Sequence, residues 1–316
     1  ERADVFILYP HGRVSDVQRR QMTSVNAPNV HAIAVEGTFD DCQALVKALF
    51  NHTSFRDEMQ LSGVNSINWA RVAAQAVYYF TAAVALGGPQ RRVSFAVPTG
   101  NFGDVLAGWV AKKMGLPIGQ LVVATNANDI LARTLQTGAY EVRGVVPTTS
   151  PSMDIQVSSN FERLLFEAHG RDAGALRRLM GGLSQSGSFS IEAAPLAAIR
   201  SEFAAEAVDE TSVKDEIGST WRDAGYLLDP HSAIAVRAAR RQLRQDPRTP
   251  VVALATAHPA KFPDAVEAAT GLRPPLPPHL ADLMGRPERV SVLPNDAGAV
   301  QAFIRREARA VRGAAA

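Results

Sequence analysis

Lysine is almost missing from this sequence. Only positions 47, 112, 113, 214 and 261 of 316 carry it, so arginine supplies nearly all of the 33 basic charges. That skew fits a GC-rich genome, and any chemistry that needs an amine must choose among these five. Cysteine is rarer still: Cys42 stands alone, which excludes an internal disulfide and fits a reducing compartment. Set in a helical pattern, it reads as a small buried hydrophobe. Long apolar runs are missing as well. No stretch reaches the roughly 18 residues that a membrane span requires, and no signal-peptide pattern opens the chain. The formal net charge is only +2, with no basic run or aromatic-interleaved patch, which argues against a nucleic-acid surface. These absences predict a soluble, cytoplasmic protein; no metal site is expected.

What is present is enough apolar residue, 46% of the chain, to bury a large core as two domains or as one with an insertion. The first half alternates. "VFILYP" (5–10) and "NVHAIAVEG" (29–37) read as strands, and the helix "SDVQRRQMT" between them is capped by Ser15. "TFDDCQALVKALF" (38–50) and the long "NWARVAAQAVYYFTAAVALG" (68–87) read as helices, and "VSFAVP" and "QLVVATN" as strands around a helix from Asp104 to Met114. Strands alternating with helices predict an α/β fold with an open, mostly parallel sheet and helices on both faces. Ligands of that class sit at the carboxyl ends of the strands. A stretch at about 170–225 reads as helical with no strand, a helical insertion, before the α/β pattern returns with "PVVALATA" and "DAVEAATG". A strand starting at Val5, almost at once after Glu1, needs neighbours on both sides, so the chain is expected to start inside a domain.

The turn "PTGNFGD" (98–104) joins a strand to a helix N-terminus through Gly-x-x-Gly. Unpaired N–H groups, the helix dipole and glycines that permit close approach make such a turn an anion site. The spacing fits neither a Walker loop nor the dinucleotide fingerprint. On the turn alone, an ordinary βα connection with Asp104 as N-cap remains open.

Six segments in order, "GVNSINWARVAAQAVYYF", "VPTGNFGD", "SPSMDIQVSSNFERLLFE", "DPHSAIAV", "ATAHPAKFPDAV" and "VLPNDAGAV", resemble threonine synthase of the bacterial and fungal type, from about residue 3 to 305. The resemblance implies a fold-type-II, tryptophan-synthase-beta-like pyridoxal 5'-phosphate enzyme that converts O-phospho-L-homoserine and water to L-threonine and phosphate, acting as a monomer or weak homodimer. It implies that Gly100, Asn101, Phe102, Gly103 and Asp104 hold the cofactor phosphate, with Asp104 turned toward its own helix as a cap. Thr256 would meet the pyridine nitrogen, a role set against that of a strand-end threonine satisfying a backbone group. Asn65, Ser66 and Arg71 would bind the substrate phosphate; the alternative has Ser66 as an N-cap and Arg71 solvated. Asn68 is expected to cap the long helix and Trp69 to pack on the sheet. His231 and His258 receive no role, and "SPSMDIQVSSNFERLLFE" none in chemistry. Domains are expected at 1–64, the remainder of a smaller α/β domain, and at 65–316, the large cofactor-binding domain.

The family's Schiff-base segment, of the type Thr-x-x-Phe-Lys-Asp, has no counterpart here. The chain is therefore expected to correspond to roughly the last two thirds of the enzyme and to be inactive alone. Two other readings remain: a threonine-synthase-like phospho-lyase that stops after elimination, and a non-catalytic module that binds pyridoxal phosphate or a phosphorylated amino acid.

Overall fold

In a computed structural model that describes residues 3–309, the chain divides into two compact units, 3–62 with 275–309, and 63–274. Positions 1–2 and 310–316 of the expected domains lie outside the described residues. In chain order the first unit begins with β1 (Val5–Pro10), α1 (Asp16–Thr23), β2 (Val30–Glu36), α2 (Phe39–Asn51) and α3 (Thr53–Met59). Ser15 caps α1 and Thr38 caps α2, each through a reciprocal capping box.

The second unit runs α4 (Trp69–Ala85), β3 (Val93–Pro98), α5 (Gly103–Lys113), β4 (Ile118–Thr125), α6 (Ile130–Thr137) and β5 (Ala139–Glu141). It continues with α7 (Phe161–Ala168), α8 (Ala173–Ser186), β6 (Ser188–Ser190), α9 (Ala193–Glu202) and β7 (Phe203–Ala207). Then come α10 (Glu210–Ala224), α11 (Pro230–Gln245), β8 (Val251–Ala253) and α12 (Pro263–Thr270). The chain returns to the first unit with β9 (Ser291–Pro294) and α13 (Ala297–Glu307).

The first unit carries a parallel sheet in the order β1-β2-β9. Alternation along β2 sends Ile33 and Val35 to a core with Leu45, Leu49, Phe55 and Phe303, while Ala32 and Ala34 meet Tyr9 on the other face. Cys42 is buried in the first of these cores, and burial pushes its thiol up to about 11, which suits a hydrophobe and not a nucleophile. Pairing of β9 with β2 (Ile33 opposite Ser291) draws 275–309 into this unit. The sequence pattern alone leaves that segment with the large domain, because strand partners so far apart in sequence leave no periodic trace.

The second unit is built on the parallel sheet β7-β4-β3-β8. Every residue of β3 is buried, as expected for a central parallel strand covered on both faces. Phe95, Val97, Leu121 and Val123 face α4, α5, α6 and α7; Ala96, Val122 and Ala124 face α10 and α11. The presence of β7 corrects the expected strand-free insertion. Phe203–Ala207, an Ala- and Glu-rich run that reads as helix, pairs with Leu121–Thr125 because the open edge of β4 satisfies its backbone. A further strand in the same region, β6, pairs antiparallel with β5. No helix among the described residues is long and apolar enough to cross a membrane.

Candidate functional site

At the carboxyl end of β3 the Thr99 N–H donates to the Ala124 carbonyl at 2.8 Å, and the chain then turns into α5. The turning residue is Phe102, in the left-handed region at φ 63° and ψ 5°, with its ring 1% exposed. Left-handed backbone is costly for a bulky residue. Here the cost is offset by burial of the ring against Phe161 (5.3 Å between centroids) and Phe203 (5.6 Å). The side chain thus pins an otherwise unfavourable loop.

The loop's polarity is one-sided. Its carbonyls are engaged from behind: Ser158 Oγ donates to Gly100 O at 2.8 Å, and Asn160 donates both its backbone N–H and its Nδ2 to Asn101 O, each at 3.1 Å. The backbone N–H groups of 100–104 donate to no acceptor among the described residues. Acceptors are covered and donors bare, the arrangement an anion needs. Gly100 is required by space, since a Cβ there would lie 3.0 Å from Ser152 O and 3.2 Å from Met153 Cα. A Cβ on Gly103 would meet nothing closer than Asn160 Nδ2 at 3.4 Å, followed by Ser66 O at 3.8 Å and Ser66 Cβ at 4.0 Å.

Ser66 therefore stands beside the glycine loop, 37 positions from Gly103 in sequence, and Asn160 joins the two. The Nδ2 that reaches Asn101 O also donates to Ser66 O at 2.8 Å, and Asn160 is completely buried. Arg163 extends the clamp, with Nε on Asn160 Oδ1 at 3.1 Å and Nη2 on Ile67 O at 2.9 Å. The "SPSMDIQVSSNFERLLFE" segment thus acts as a buckle behind the site. Its other end is fixed by Asp154, which accepts from Asn126 Nδ2 (2.8 Å), Asn128 Nδ2 (2.9 Å) and Thr148 Oγ1 (2.6 Å) at the carboxyl end of β4. Nothing in local sequence pattern marks Asn126, Asn160 or Arg163, because their partners lie far away along the chain.

The remaining expected site residues divide. Asn65 Oδ1 turns to its own backbone, accepting from Ile67 N at 3.3 Å, while Asn68 caps α4 through Ala70 N at 2.9 Å. Ser66 is therefore not the N-cap. Arg71 is exposed, held among the described residues by a 3.4 Å contact from Nη1 to Val64 O, and its charge acts on Asp104 and Tyr78. Thr256 is exposed beyond the end of β8, which pairs with β3 (Ala96 opposite Ala253), so it stands at the same sheet edge as the glycine loop.

Two expectations need correction. Asp104 is no cap: Phe102 is the N-cap residue, and Asp104 Oδ1 instead accepts from Tyr78 OH (2.5 Å) and Tyr79 OH (2.9 Å) of α4. Burial raises the Asp104 carboxyl, against the pull of these hydroxyls and of Arg71. Trp69 is half exposed beneath the Arg163 guanidinium, 5.7 Å from its ring, and not packed on the sheet.

His231 is buried at the start of α11, its Nδ1 2.9 Å from Asp229 Oδ1 and its Nε2 without a hydrogen-bond partner among the described residues. His258 Nδ1 accepts from Ala260 N at 3.2 Å, a local cap. Of the lysines, Lys47 and Lys214 are exposed, and Lys113 and Lys112 meet Glu202 at 2.6 and 3.5 Å.

Residues 232–304 match the family model "Threonine synthase, C-terminal". Over 305 residues the chain is 53% identical to the threonine synthase of Pseudomonas aeruginosa, covering 96% of this chain and 65% of that protein. It also resembles the crystal structure of PLP-bound threonine synthase from Brucella melitensis, at 61% identity and a TM-score of 0.92, over 98% of this chain and 66% of that one. The fold is shared more distantly with maize serine racemase, at 12% identity and a TM-score of 0.50. The chain thus spans just under two thirds of the length of the threonine synthases it matches.

Proposed function

We propose, for a chain that belongs to the threonine synthase family, that it forms the phosphate-binding part of an enzyme turning O-phospho-L-homoserine and water into L-threonine and phosphate. The observation that carries this reading is the Asn160 clamp, which sets Ser66 beside a loop of bare N–H groups. Two phosphates belong to this reaction, one on the cofactor and one on the substrate, and two adjacent anion-holding elements suit them.

The residues of the glycine loop fit pyridoxal 5'-phosphate through its phosphate: Gly100, Asn101, Phe102, Gly103 and Asp104 would offer backbone N–H groups, and Gly103 leaves open the space that a side chain would fill. When bound, the cofactor supplies an electron sink for charge that develops beside the amino acid's α-carbon. Thr256, at the same edge, would hydrogen-bond the pyridine nitrogen. A hydroxyl there, unlike a carboxylate, does not force that nitrogen to stay protonated, which moderates the sink. Ser66 and Arg71 would hold the substrate phosphate, the arginine through a charge-assisted contact. Asn65, with its side-chain oxygen on Ile67 N, serves by shaping the turn that presents Ser66.

Full-length protein containing this chain should release L-threonine and phosphate from O-phospho-L-homoserine. Release of an α-keto acid with phosphate, and no threonine, would instead identify a phospho-lyase.

A further inference from the structure

We propose that Asp104 is the proton acceptor of the glycine loop. When a phosphate dianion occupies the turn, one proton from solvent settles on Asp104 Oδ2, and the carboxyl remains hydrogen-bonded to Tyr78 and Tyr79 as a neutral acid. This rests on reading the 100–104 turn as a phosphate site.

A carboxylate in the first turn of α5 is at odds with that role. The helix N-terminus and its bare N–H groups attract the carboxylate and the phosphate alike, and the two anions repel each other. The side-chain geometry offers a way out. Both tyrosine hydroxyls donate to the same oxygen, Oδ1, at 2.5 and 2.9 Å, and Tyr79 OH also lies 2.8 Å from the Asp104 carbonyl. Oδ2 makes no hydrogen bond among the described residues and is not among the polar atoms sealed from solvent. A proton can therefore arrive on Oδ2 without breaking either tyrosine bond or moving the loop.

The surroundings favour that proton once an anion is present. Burial already raises the Asp104 carboxyl. Helix α4 presents Tyr78, Tyr79 and Arg71 to it; β3, β4 and α7, also packed on α5, present no charged or titratable group that acts on it among the described residues. Both tyrosines are held neutral by burial. Among the described residues Arg71 is the one cation that acts on it, and an anion bound to Arg71 would remove its help. Gly108 allows the arrangement: a Cβ there would stand 2.6 Å from the Tyr79 ring, so only glycine lets Tyr79 lie against α5 and reach Asp104.

The test is calorimetric titration of the full-length protein containing this chain, with no cofactor bound, with monomethyl phosphate at about pH 8, where a phosphate monoester is already a dianion. Two buffers of different ionisation enthalpy are used, so that the difference in heat counts protons. Wild type should take up a substantial fraction of one proton, up to about one, per phosphate bound. Asp104→Asn keeps an oxygen for both tyrosines, and should bind phosphate as well or better with no uptake. Tyr78→Phe, which removes a donor that favours the ionised acid, should bind with an uptake at least as large as that of wild type. Wild type that binds with no uptake overturns the proposal. So does an Asp104→Asn variant, folded by circular dichroism, that takes up as many protons or fails to bind. Wild type that binds no phosphate removes the phosphate reading of the loop, and this inference with it.

Discussion

The Nδ2 of Asn160 lies 2.8 Å from the carbonyl oxygen of Ser66, bridging 94 positions of sequence and, through Asn101 O, tying the start of α4 to the start of α5. The positions of the glycine loop and of Ser66, the two elements proposed to hold anions, therefore depend on one buried amide.

Asn160→Ala should leave the Ser66 and Asn101 carbonyls short of a partner. Loss of a buried side-chain hydrogen-bonding group costs about 1 to 3 kcal/mol. The unfolding free energy from denaturant titration should fall by that amount, and phosphate affinity should fall with it. A variant as stable as wild type would show that the loop holds its own shape.

The two loop glycines should separate stability from binding. Gly100→Ala sets a methyl against backbone atoms at 3.0 and 3.2 Å, and overpacking of this kind costs about 1 to 3 kcal/mol. Gly103→Ala makes only ordinary contacts from 3.4 Å outward, so melting should change little while phosphate binding weakens. Equal effects of the two substitutions on stability would contradict this division.

Arg71→Ala in full-length protein should weaken phosphohomoserine binding and turnover by about 2 to 4 kcal/mol, the cost of losing one charge-assisted phosphate contact. Because Arg71 is exposed and among the described residues holds only Val64 O, at 3.4 Å, the melting temperature should not move. Steady-state kinetics unchanged from wild type would make it a surface residue.

Alkaline pH should expose a buried tyrosine. Burial pushes the Tyr140 hydroxyl up to about 12, while the ring is 2% exposed and the OH donates to Gln156 O at 3.2 Å. The unfolded chain ionises this group near its ordinary value of 10.0 and the folded chain only near 12, so the folded state binds more protons between them. Its contribution is complete below 10 and declines as pH rises toward 12, by about 2 to 3 kcal/mol at most. In urea titrations across this range, Tyr140→Phe should flatten the decline. A wild-type curve as flat as the variant's would argue against the burial account.

Much of this protein was legible in its sequence because the signals are local. Alternation and capping residues marked β1, β2, β3, α1, α2 and α4, and Asn68 as the cap of α4. Gly-x-x-Gly between a buried strand and a helix marked the loop, and ordered motifs pointed to the family. Only the tertiary structure decided what depends on distant partners. The Ala- and Glu-rich run 203–207 became a strand because the edge of β4 was open beside it, and 275–309 joined the first unit because β9 pairs with β2. Asp104 passed from cap to acceptor because α4 brings two hydroxyls to it. Asn160 and Arg163 became structural clamps because backbone carbonyls, which carry no side-chain signature, are what they hold. Composition and periodicity report what a residue prefers near its neighbours, whereas a buried hydrogen bond is decided by whichever group folding leaves without water.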